Sequence, residues 1–128
     1  MSVTAAVLLA ALLLGHNLGD FTPLATPRMH RAKSEGRPIG PIAAHAAVHG
    51  LLAGLAVLLV VRPPLSTVAL ASGVVLSTHL VIDLAKARIG LRVPVLKDVS
   101  ANPFWWALGF DQLLHGLVLF GVAFLVLG

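Results

Sequence analysis

The sequence predicts an all-α, polytopic membrane protein, a bundle of four transmembrane helices, and three observations carry that prediction. Of the 128 residues, 58% are hydrophobic and only 11% are charged, too little charge to cover a soluble domain of this size. Apolar stretches of roughly 18 to 24 residues recur four times, about the length a helix needs to cross a hydrocarbon core. These stretches are continuous and rich in Leu and Ala, without the short polar alternation of a membrane strand, so the backbone satisfies itself in helices.

The first helix is expected over about residues 3–20. No Lys or Arg precedes it and no small-x-small cleavage site follows, so it reads as a retained helix and not a signal peptide. A polar loop then runs through Gly40, and Pro23, Pro27 and Pro38 keep it from continuing the helix. The second helix, about 41–61, has a proline suitably placed in its first turn and ends at Arg62-Pro63-Pro64. So short a connection makes it an antiparallel hairpin with the third helix, about 65–86. A second loop holds Arg88, Arg92, Lys97 and Asp98 before Asn102-Pro103 introduces the fourth helix, about 104–127, with Trp105 and Trp106 as interfacial anchors. Residues 1–128 thus read as a single transmembrane domain.

The formal charge is +4, but the basic residues sit in the two long loops between apolar helices. There they set topology and touch anionic lipid headgroups, which argues against nucleic acid as a partner. The positive-inside rule places both loops in the cytoplasm and both termini outside, in a multi-pass protein of the bacterial plasma (inner) membrane. With no cysteine in the chain, disulfides and thiolate metal sites are excluded, and any metal must be held by nitrogen and oxygen.

Chemistry repeats where residue identity does not. Each long helix carries one pair of ligand-type residues four apart: His16 with Asp20, His45 with His49, His79 with Asp83, and Asp111 with His115. Residues at i and i+4 project from one helix face, one turn apart. The pairs close helices one and three and open helices two and four, so alternating helix directions bring all four to one level, near the cytoplasmic face. Ionisable groups at mid-membrane cost at least about 2.5 to 3.5 kcal/mol each, and metal coordination is the expectation that explains eight of them together. Eight donors exceed the need of one tetrahedral ion, so one or two divalent transition-metal ions are expected, zinc first, with manganese or iron as alternatives. Interhelical hydrogen bonding and an ion pathway are the other readings. Asn17 and Gln112 point about 100° away from their ligand-type neighbours and suit supporting hydrogen bonds. His30 reads as a solvated loop residue. Arg28, Arg31, Lys33, Lys86 and Arg88 flank the site and suit an anion such as phosphate.

The segments Gly15-His16-Asn17-Leu18-Gly19-Asp20-Phe21, His79-Leu80-Val81-Ile82-Asp83-Leu84-Ala85-Lys86 and Asp111-Gln112-Leu113-Leu114-His115 resemble a family of small bacterial and phage integral-membrane proteins known only as a domain of unknown function (DUF3307-like). More distantly, the His-x-x-x-Asp pairs look like those of bacterial inner-membrane proteins described as metal-dependent hydrolases. A further likeness is to membrane di-iron oxygenases, which gather histidines at the cytoplasmic ends of four helices. This chain has His45-x-x-x-His49 but no His-His doublet, and more carboxylates than that class. The resulting expectation is a membrane-embedded, metal-dependent hydrolase acting on a phosphoester or lipid-like substrate at the cytoplasmic face. The alternatives are a non-catalytic metal-binding membrane protein, structural, transporting or sensing, and then a di-iron oxygenase. Membrane lipid is the expected partner, and a homo-oligomer is compatible with the sequence.

Overall fold

A computed structural model describes residues 2–128. It contains five α-helices, α1 (Val3–Phe21), α2 (Pro27–Glu35), α3 (Ile39–Val60), α4 (Leu65–Arg92) and α5 (Asn102–Leu127), with a 3-10 turn at Pro94–Lys97. No strand occurs among the described residues. Helices α1, α3, α4 and α5 are each long and apolar enough to cross a membrane, as an all-α membrane protein requires.

Helix α2 lies where the sequence reading expects an irregular loop. Its signals are local and complete. The Thr26 hydroxyl accepts the Met29 N–H at 3.3 Å, Pro27 occupies the first helical turn, and Gly36 closes the helix at φ +69° with its N–H on the Ala32 carbonyl. Proline is preorganised for a first turn, where its missing N–H costs nothing, and glycine adopts the left-handed conformation of a C-terminal cap freely. Pro27 therefore starts a helix instead of preventing one. Similarly, α4 continues past Lys86 to Arg92, so Arg88 and Arg92 ride on a helix and not in a loop.

Each long helix packs against two others: α1 on α3 and α5, and α4 on α3 and α5. The four form a closed ring in alternating directions. The α3–α4 contact is the tightest because small residues bring the backbones together. A Cβ at Gly50 would stand 2.8 Å from the Ser72 carbonyl oxygen, and one at Gly54 would overlap the Ser72 hydroxyl. The hairpin between them turns at Arg62, in the left-handed region at φ 55°.

Buried side chains divide the bundle into two ends. Around Leu8, Leu12, Val57, Ala71, Val75, Leu119 and Val122 the core is wholly apolar. The same buried stripes, followed in steps of four, then turn polar: Leu8-Leu12-His16-Asp20 in α1, Ala71-Val75-His79-Asp83 in α4, and, in the reverse sense, Asp111-His115-Leu119 in α5. Helix α2 lies against α3 and α4 with Ala32 buried. Outward-facing Leu13, Leu51, Leu117 and Phe120 are exposed, as expected of side chains that meet lipid and not water.

Candidate metal centre

All eight ligand-type residues are buried, between 0% and 7% exposed. The four i, i+4 pairs form as the helical repeat requires. His16 Nε2 stands 3.4 Å from Asp20 Oδ2, and His79 Nε2 3.4 Å from Asp83 Oδ2. The rings of His45 and His49 are 4.6 Å apart, and His115 Nδ1 lies 3.9 Å from Asp111 Oδ1. Across helices, the rings of His49 and His79 stack at 3.7 Å, with His115 4.2 Å from His79 and His16 4.9 Å from both His49 and His115.

Two sets of donor atoms converge closely enough to hold an ion. One atom from each of Asp20, His45, His49 and His79 lies within 4.8 Å of the others, and the same is true of His79, Asp83 and His115. His79 belongs to both sets. His16 and Asp111 stand beside them, occupied otherwise. Gln112, reaching from α5, joins its amide oxygen to His16 Nε2 at 3.2 Å and donates its NH2 to Asp20 Oδ2 at 3.2 Å and to Asp111 Oδ2 at 3.4 Å. The supporting hydrogen bonds expected of Gln112 are thus present. Asn17 instead donates to the Leu13 carbonyl of its own helix and takes no part.

Hydrogen bonding leaves much of the cluster unsatisfied. Buried side-chain atoms of His45, His49, His79, Asp83, Asp111 and His115 have no hydrogen-bond partner among the described residues, although buried polar atoms in proteins are nearly always paired. Interhelical glue would pair these atoms, whereas both ring nitrogens of His49 and of His79 and both carboxylate oxygens of Asp83 go without a hydrogen-bond partner. For His115 the tautomer follows from its one bond: Nδ1 is 2.9 Å from the Asp111 carbonyl oxygen, which only accepts. Nδ1 therefore carries the proton and Nε2 presents its lone pair, the arrangement of a metal-ligating histidine.

The cluster also gathers positive charge. From α2, Lys33 Nζ comes within 2.9 Å of His45 Nε2, 3.1 Å of Asp83 Oδ2 and 3.5 Å of Asp20 Oδ1. The Asp83 contact is a charge contact without hydrogen-bond alignment. His45 Nε2 also lies 3.1 Å from Asp20 Oδ1, and one nitrogen cannot both accept from the ammonium and donate to the carboxylate. Lys33 as donor resolves this, with the imidazole lone pair and two carboxylates sharing a cation. On the other side, Lys86 Nζ donates to Asp111 Oδ2 at 2.7 Å.

Of the basic residues expected to flank the site, Lys33 and Lys86 reach the cluster. Arg31 is exposed and paired with Glu35 at 2.9 Å, and Arg28 and Arg88 are exposed. Asp98 lies in the loop before α5, where the Ser100 hydroxyl, and then its N–H, hold the carboxyl below the usual carboxylate range. A cavity of about 630 Å³ between α4 and α5 has Asp83, Asp111, Lys33 and Lys86 in its wall. Neither Lys33's reach nor this cavity is expected from spacing alone, since both depend on α2.

The profile of the family described as "Protein of unknown function (DUF3307)" matches residues 8–127. The chain belongs to this family. The matched span includes α1 from Leu8 through nearly all of α5, and so all eight residues of the cluster. No curated protein and no solved structure matches the chain.

Proposed function

We propose that this membrane protein holds one or two divalent transition-metal ions in the His/Asp cluster and uses them to hydrolyse a phosphoester or related bond of a lipid-like substrate at the cytoplasmic face of the bacterial inner membrane. One observation carries the reading: two convergent donor sets share His79, and the second of them, through Asp83, meets an open cavity. A purely structural metal site is coordinatively closed, whereas a catalytic one keeps an open side toward a cleft. Four imidazoles and two carboxylates in the two sets favour zinc, with manganese or iron the nearest rivals, and disfavour calcium, which prefers all-oxygen shells.

A divalent cation in such a site supplies Lewis acidity toward water and toward phosphoryl oxygens. The chain supplies the rest. Asp20, His45, His49 and His79 would hold one ion, and His79, Asp83 and His115 a second or shared one, while His16 and Gln112 brace Asp20. In hydrolysis a water oxygen bonds to phosphorus, the ester P–O bond breaks, and the departing oxygen takes up a proton. Asp111, outside both donor sets and steadied by Lys86, is placed to accept the proton that the water gives up. Lys33 and Lys86 stand where an anionic substrate meets the site, and the low dielectric of a buried cluster strengthens their attraction for it.

The test is hydrolysis of bis(p-nitrophenyl) phosphate and of a phospholipid by purified protein reloaded with zinc, manganese or iron. Turnover that needs metal and is lost in Asp83→Asn but kept in Asp98→Ala is expected. Metal bound at full stoichiometry without turnover on either substrate would instead support the non-catalytic alternative.

A further inference from the structure

The cavity between α4 and α5 is amphipathic along its length. From α4, Val81, Ala85 and Ile89 line one wall, each one turn beyond the last; from α5, Ala107, Phe110 and Leu114 line the other. Val81, Ile89 and Phe110 are more than half exposed, so the groove is open at its side. In a membrane-spanning pair of helices that opening faces lipid. At the end nearer α2 the lining changes to His30, Lys33, Lys86 and Lys97. Lys97 is tied there by a 2.6 Å bond to the Ser34 carbonyl of α2. Lys33 is shared by Asp83 and, behind the wall, Asp20, and Lys86 is paired with Asp111. Of the three lysines Lys97, held only by a carbonyl oxygen, is thus left for an anion where apolar walls give way to polar ones.

From this juxtaposition we infer that the groove is a lateral binding site for an anionic phospholipid, with its phosphate among Lys33, Lys86 and Lys97 and one hydrocarbon chain along the α4 and α5 walls. Charge complementarity decides the head and the apolar walls decide the tail. The stretch from Val81 to Ile89 rises about 12 Å at about 1.5 Å per residue, which seats part of one acyl chain and leaves the remainder in the bilayer. Asp83 and Asp111 lie in the same wall, so the bound headgroup is next to the cluster. The inference gives the substrate class of the proposed hydrolase and rests on that reading for its chemistry alone, since lipid binding needs no metal.

Binding is measured by native mass spectrometry of the detergent-purified protein with dioleoylphosphatidylglycerol, dioleoylphosphatidylcholine or inorganic phosphate, each with and without chelator, alongside metal content. Phosphatidylglycerol is expected to bind at least about fivefold more tightly than phosphatidylcholine, the worth of about 1 kcal/mol from one lysine near a headgroup, with or without chelator. Ala107→Trp, which fills the groove, is expected to weaken phosphatidylglycerol about tenfold, Ala107→Leu less so, and both keep wild-type metal content. Arg88→Gln, on the exposed surface of α4, is expected to change neither. Equal binding of the two lipids, undiminished binding in both Ala107 variants, or full displacement of the lipid by inorganic phosphate would overturn the site. Wild-type protein that carries no metal even when prepared without chelator, while lipid selectivity persists, would count against the hydrolase reading and leave the groove standing.

Discussion

At the scale of single residues, the geometry of the centre depends on what is missing as much as on the ligands. Gly19 lies against the imidazole of His49, and a Cβ there would stand 2.5 to 2.9 Å from three ring atoms. By helix propensity alone, Gly19→Ala would stabilise α1 by about 1 kcal/mol. Here the added methyl forces the His49 ring from its stack on His79. The expected result is unchanged helical content with metal affinity lower by about tenfold, the loss typical of a displaced ligand support; equilibrium dialysis against zinc measures it. The ligand-type residues themselves were legible in the sequence because a four-residue spacing fixes a shared face whatever the rest of the fold does. The division of labour among them was not: that His79 joins two donor sets while Gln112 braces His16 and Asp20 depends on how four helices rotate against each other, which no single helix encodes.

Helix α2 is the element through which the polar end of the bundle receives its lysine. A nine-residue helix is too short to hold itself in water, so its cap and its seat on α3 and α4 keep it in place. Thr26→Ala removes the hydroxyl that accepts the Met29 N–H and costs about 1 kcal/mol. Faster amide exchange confined to residues 27–35, with α3 and α4 protected as before, is the expected readout; uniform exchange across the bundle would show that the cap matters no more to α2 than to its neighbours. The long helices were readable because about twenty consecutive apolar residues in lipid leave the backbone no alternative. Helix α2 was not legible because its composition is polar and the three prolines of the connecting segment, Pro23, Pro27 and Pro38, read as interruptions, although Thr26-Pro27 and Gly36 are ordinary start and stop signals. The overrun of α4 to Arg92 has a related cause: a helix that leaves the hydrocarbon does not end merely because its residues turn polar.

Across the whole molecule, charge and chemistry share one end. Every Lys and Arg except Arg62 lies in α2, the C-terminal part of α4 or the connections that flank them, on the side of the bundle where the histidines gather. By the positive-inside rule, the proposed orientation has the cluster toward the cytoplasm. Single cysteines at Arg31 and Arg62, labelled with an impermeant maleimide on intact cells, are expected to react at Arg62→Cys and not at Arg31→Cys; the opposite pattern would invert the orientation. Two ends of different character also explain why the bundle tolerates so many buried ionisable groups, since the apolar core around Leu12, Val57 and Val75 holds the helices while the polar end stays available for an ion. The most direct measurement is the metal content of protein purified without chelator, compared with His79→Ala and Asp98→Ala. One to two equivalents of zinc, manganese or iron in the wild type and in Asp98→Ala, with loss of nearly all of it in His79→Ala, are expected; wild-type protein that binds no metal, or a His79→Ala variant that keeps the full complement, would contradict the metal centre.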